Sequence, residues 1–110
     1  MLFRSDLVGM LEIDGPTGRG VLNIGVGALR DGVLLGRYAR CDGASTDDPS
    51  MSRVHALLVR FDDDVLLVVD VASTNGTARA GEEHARVIEL DRDTELQLGK
   101  STRARWRWLS

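Results

Sequence analysis

Apolar residues in this 110-residue chain come in short runs broken by Gly and Asp, and none of the runs keeps a helical period. An amphipathic helix needs its apolar positions to recur over about eleven residues or more, whereas a strand needs only a few alternating positions. The runs therefore predict strands at Leu7–Ile13, Val21–Val26, Val33–Arg37, Ala56–Phe61, Val65–Val71, Arg86–Leu90, Thr94–Leu98 and Arg103–Leu109. Turn residues separate them at regular intervals, the pattern of an all-β sandwich.

Length and composition bound what such a fold can do. Hydrophobic residues make up 43% and charged residues 28% of the chain, an ordinary globular balance with material for one core. The expectation is one domain over residues 1–110. A net charge of −3 supplies no global field for nucleic acid or anionic lipid, so any anionic ligand must be held locally. A single cysteine, Cys41, excludes an internal disulfide, and two histidines are few for a zinc site. No cofactor and no metal are expected. Asp6 and Glu12 interrupt the leading apolar stretch, leaving no signal-peptide segment and no membrane insertion in residues 1–13. The expected location is cytoplasmic.

Two charged segments receive plain structural readings. Asp62-Asp63-Asp64 suits a solvated hairpin turn better than a metal site, because consecutive carboxylates point in different directions. In the tail, alternation puts Arg103, Arg105 and Arg107 on one face and Trp106 and Trp108 on the other. That separation of cations from aromatics suits a closing strand rather than a single-strand nucleic-acid platform.

The residues with chemistry lie at strand ends: Gly36-Arg37, Ser52-Arg53-Val54-His55, and Asp70-Val-Ala-Ser73-Thr74-Asn75-Gly76-Thr77. Loops at one end of a sandwich converge, so these segments can share a surface. They supply two guanidiniums, several hydroxyls and an amide, with no carboxylate that must point into the site. Such a set suits a phosphate dianion on an extended peptide: the Arg fork binds oxygens in pairs, and an Asn amide pairs with backbone.

This arrangement, with the later Leu96-x-Leu98-Gly99, resembles the forkhead-associated (FHA) domain family in order and spacing from about Leu11 to Trp108. The resemblance implies an antiparallel β-sandwich of about eleven strands (FHA/SMAD-like) that binds phosphothreonine peptides without catalysis. It implies that Arg37 and Ser52 hold the phosphate, that Arg53 adds to the phosphate or peptide, and that Thr74 contacts the phosphothreonine region. Asn75 would bond the peptide main chain; Gly36, His55 and Gly76 would be architectural, with His55 bracing the Ser52 loop. The implied partner is a phosphothreonine-bearing protein, a Ser/Thr kinase or its substrate. The chain departs from the family at Cys41–Ser45, where small and polar residues predict a frayed or missing strand, at glycine-rich Asp14–Arg30, and at Ala78-Arg79-Ala80-Gly81.

Two other functions compete with this one. A hydrolase triad of Ser52, His55 and Asp70 is disfavoured, because Ser52 and His55 sit three apart on an extended segment and no nucleophile-elbow glycines flank the serine. A phosphate-independent interaction domain that docks through a sheet face is the alternative that remains.

Overall fold

The computed structural model describes residues 6–109. The N-terminal part of the signal-peptide reading, residues 1–5, lies outside the described residues. Ten strands form among those described: β1 (Leu7–Asp14), β2 (Arg19–Gly25), β3 (Val33–Gly36), β4 (Gly43–Ala44), β5 (Ala56–Asp62), β6 (Val65–Asp70), β7 (Thr77–Arg79), β8 (Val87–Leu90), β9 (Thr94–Leu98) and β10 (Thr102–Trp108). They make two five-stranded sheets, ordered β2-β1-β10-β9-β7 and β4-β3-β5-β6-β8. All pairings are antiparallel except β3 with β4, which is parallel. The structure thus has ten strands where the resemblance implied about eleven.

The eight predicted strands all form, and alternation explains their faces. In β10, Thr102, Ala104 and Trp106 point inward while Arg103 and Arg107 are exposed. Trp106 is fully buried and meets the edge of Trp108, ring centroids 5.4 Å apart. Across the sandwich it joins Leu11, Leu35, Leu58, Leu66, Leu90 and Leu96 in one core. Arg103 and Arg105 join an ion-pair ladder over the first sheet: Arg19 to Glu12, Glu12 to Arg105, Arg105 to Glu95 and Glu95 to Arg103. Such exposed pairs keep the face solvated and add little stability.

Three short elements correct the sequence reading. The predicted strand Val21–Val26 begins earlier, at Arg19, and gives way to a helix, α1 (Val26–Asp31), that was not expected. A helix this short buries only Leu29 and so shows no period in the sequence. The segment Cys41–Ser45 retains a two-residue strand, β4, because Gly43 and Ala44 lie against Leu35 and Gly36. Strand β7 forms from Thr77-Ala78-Arg79 by pairing with β9, although the segment has little intrinsic strand character. Asp62 ends β5, and Asp63 and Asp64 turn the chain into β6 as expected. Among the described residues no helix is long and apolar enough to cross a membrane.

Candidate functional site

The three segments with chemistry, at Arg37, at Ser52–His55 and at Asp70–Thr77, meet at the same end of the sandwich. Strand β3 delivers Arg37, whose amide donates to the Ser52 carbonyl at 2.9 Å, and the next amide, Tyr38, donates to the Arg53 carbonyl at 3.0 Å. The Ser52 loop is thereby laced to the end of β3. This close approach explains Gly36: a Cβ there would lie 2.1 Å from the Arg53 carbonyl oxygen, so only glycine fits. The buried Cys41 thiol also donates to that carbonyl, at 3.4 Å. Burial, with the Asp42 charge added, raises the pKa of Cys41 and keeps it a neutral donor.

The third segment closes over the second. Thr74 N–H donates to Ser52 Oγ at 3.0 Å, and Asn75 Nδ2 donates to the Ser50 carbonyl at 2.8 Å. Gly76 has φ of +85°, the left-handed region that glycine enters without cost. Its carbonyl accepts from His55 Nε2 at 2.8 Å and from the Gly99 amide at 3.0 Å.

His55 is wholly buried between the two loops. Its Nδ1 accepts from the Ser52 amide at 3.1 Å, and its Nε2 faces the Gly76 carbonyl. An amide can only donate and a carbonyl can only accept, so the ring is the neutral tautomer with hydrogen on Nε2. His55 thus bonds the Ser52 amide on one side and the Gly76 carbonyl on the other. Both ring nitrogens are occupied by backbone, which leaves neither to activate Ser52 Oγ. Asp70 is committed elsewhere: it accepts from Ser73 N, Ser73 Oγ and Thr77 Oγ1 at 2.8, 2.5 and 2.7 Å. The three residues of the disfavoured triad therefore form no relay.

Two residues escaped the sequence reading. Asp48 is fully buried and accepts from Ser50 N, Ser50 Oγ and Thr102 Oγ1 at 2.8, 2.6 and 2.6 Å. Ser50 Oγ in turn accepts from the Lys100 amide at 2.8 Å. Asp48-Pro49-Ser50 carries the Asx-turn signature, an Asp whose side chain bonds the amide two residues on, and that spacing was the available signal.

Both inward carboxylates have lowered pKa values. Burial alone would raise them, but hydrogen bonds favour the charged form and outweigh it: from the Ser50 and Thr102 hydroxyls and the Ser50 amide for Asp48, and from the Ser73 hydroxyl and amide and the Thr77 hydroxyl for Asp70. The unfolded chain then binds these protons more readily than the folded one. Their stabilisation is complete above the ordinary carboxylate value of 3.8 and is lost as pH falls through the lower folded values. Denaturant unfolding from pH 6 down to about pH 2 should show stability falling below about pH 4, with a shallower fall in Asp70→Asn.

At this end of the molecule Asp48 and Asp70 turn their carboxylates inward, while the exposed Asp42 and Asp47 of the Tyr38–Met51 loop accept from the Leu34 amide and the Thr17 hydroxyl. Arg37, Arg40, Arg53, Arg86 and Lys100 lie on these loops, and none belongs to an ion pair among the described residues. Arg37 is half-buried, and its Nε is tied to the Met51 carbonyl at 3.1 Å. The bond fixes the stem, and the terminal nitrogens make no hydrogen bond among the described residues. Arg53 and Thr74 are exposed, and Ser52 and Asn75 half-buried. Chemically this is a rigid loop surface that presents guanidinium, hydroxyl and amide groups to an anion and an extended chain.

The FHA domain family matches the chain over residues 33–99, which span the whole constellation. No curated protein sequence matches it. Among solved structures, the FHA domain of CT664 from Chlamydia trachomatis superposes with a TM-score of 0.78 at 20% identity, covering 94% of this chain and 99% of that one. An FHA domain from work on phosphothreonine-dependent FHA interactions gives 0.74 at 22% identity over 94% and 98% of the two chains. The yeast Dun1 FHA domain, solved with a doubly phosphorylated peptide, gives 0.68 at 23% identity over 98% and 79%. At these identities the likeness establishes the fold.

Proposed function

The chain belongs to the FHA domain family, and from that premise we propose that it binds phosphothreonine peptides at the loop end of its sandwich and acts by binding rather than catalysis. The observation that carries this reading is the pairing of Arg37 with Ser52 on two loops laced together by backbone bonds, with Asp48 and Asp70 turned inward. An anion-binding guanidinium must keep its terminal nitrogens open, and a fixed stem reduces the ordering that binding requires.

In this proposal the Arg37 fork and the Ser52 hydroxyl take phosphate oxygens, and the exposed Arg53 adds charge to the phosphate or the peptide. Thr74 borders the phosphothreonine. Asn75 spends one amide hydrogen on Ser50, leaving its carbonyl oxygen and second hydrogen for the peptide main chain. Gly36, His55 and Gly76 hold the loops. The partner is a phosphothreonine-bearing protein, a Ser/Thr kinase or its substrate, met in the cytoplasm, and the chain serves as one such domain. The solved relatives named above include one whose interactions are phosphothreonine-dependent and one holding a phosphorylated peptide, which supports this class of ligand.

Calorimetric titration with matched threonine, phosphothreonine and phosphoserine peptides tests the proposal. Binding is expected for phosphothreonine, weakened for phosphoserine, and lost without phosphate. Equal affinity for the phosphorylated and unphosphorylated peptides would overturn it.

A further inference from the structure

The two sheets differ sharply on their outer faces. The first is covered by the ion-pair ladder, whereas the outer face of the β3-β5-β6-β8 sheet is apolar. Leu34, Leu57, Val69 and Val87 form one row across four strands through the pairs Leu34–Leu57, Leu57–Val69 and Val69–Val87. Val59 and Leu67 pair in the next row, which ends on Glu89. Strand alternation points these side chains away from the core. Leu34 and Val87 are 38% and 51% exposed, and Leu57, Val69, Val59 and Leu67 are half-buried, with Gly32 packed beside Leu57 and Val59.

The ends of this face carry opposite charge. At one end is the β5–β6 turn, Asp62-Asp63-Asp64, where only Asp63 is paired, with Arg60. At the other lie Arg53 and Arg86, both exposed and without an ion pair among the described residues.

We propose that this face is a self-association surface on which a second copy of the chain packs sheet against sheet, its strands antiparallel to those of the first. Two identical faces can meet only about a twofold axis lying in the plane between them. With the axis along the strands, acidic turn would meet acidic turn. With the axis across the strands, each Asp62–Asp64 turn meets the Arg53 and Arg86 end of the other copy, and the charges complement. The pattern is self-complementary, which selects a second copy over an unrelated apolar partner.

Area sets the strength of this contact. Strands about 4.8 Å apart, with outward residues about 6.6 Å apart along each, give a patch of roughly 300 Å² in plan. Even with its charged rims the pair buries less than the roughly 1,200 Å² of a stable complex, so the dimer is weak and reversible. The inference does not rest on phosphopeptide binding.

Sedimentation velocity at low salt, from tens of micromolar to the millimolar range, tests it. The parent is expected to pass from monomer toward dimer, and Leu67→Lys to stay monomeric while binding phosphopeptide normally at low concentration. Changing Asp62, Asp63 and Asp64 together to Asn should weaken association several-fold, as should about 0.5 M salt. If Leu67→Lys does not fold, Val87→Lys at the exposed edge gives the same reading. A parent that stays monomeric throughout, or a lysine variant that associates like the parent, overturns the proposal. Unchanged association of the Asn variant overturns the antiparallel arrangement.

Discussion

Arg37→Ala is expected to weaken phosphothreonine-peptide binding by roughly ten- to a hundredfold while leaving the thermal unfolding curve nearly in place. The first half follows from charge: a hydrogen bond to a charged group is worth about 1.5–3 kcal/mol, and the phosphate would lose its stem-fixed forked donor, leaving Arg53 to supply charge. The second half follows from where Arg37 sits. Its backbone amide, which laces β3 to the Ser52 loop, survives the substitution, and the side chain gives the fold only one bond to the Met51 carbonyl. Arg37→Lys should recover only part of the affinity, because an ammonium cannot reproduce the planar fork. Isothermal titration beside thermal melts reads both halves. A folded Arg37→Ala that binds as tightly as the parent removes Arg37 from the site.

His55→Ala should do the opposite, destabilising the fold by about 3 kcal/mol and weakening binding only through the loops. Removing a buried ring leaves a cavity, and it strands the Ser52 amide and the Gly76 carbonyl, each uncompensated buried group costing about 1–3 kcal/mol. The Gly76 carbonyl keeps its Gly99 partner, which moderates the loss. Because His55 never faces the ligand, its effect must pass through the position of Ser52. Urea unfolding should show a lowered midpoint with unchanged slope, and phosphopeptide at saturating concentration should restore part of the midpoint. A variant as stable as the parent would remove the bracing role.

These contrasting roles mark what could be read from the sequence. Strands such as β10 were legible because Arg103, Arg105 and Arg107 alternate with Ala104, Trp106 and Trp108, and alternation maps directly onto two faces. The site segments were legible because Gly36-Arg37, Ser52 to His55 and Ser73 to Gly76 are contiguous motifs at strand ends. Helix α1 was not, because six residues with one buried side chain leave no period. Strands β4 and β7 escaped for a related reason: they exist through pairing with β3 and β9, a long-range fact that their own small residues do not encode. Asp48 looked like one acid in a polar loop, and only the fold reveals it as a buried hub joining Ser50 and Thr102. The apolar outer face was hidden in the same way. Leu34, Leu57, Val69 and Val87 read as ordinary strand hydrophobes until register aligns them across four strands.

Nitrogen-edited NMR of the chain, titrated with a phosphothreonine peptide and its unphosphorylated twin, tests the central claim most directly. Shifts should gather on the backbone of Arg37, Ser52, Arg53, Thr74 and Asn75 and on the Arg37 and Asn75 side chains, and only the phosphorylated peptide should produce them. Shifts that gather on a sheet face, or that follow both peptides alike, would contradict the account.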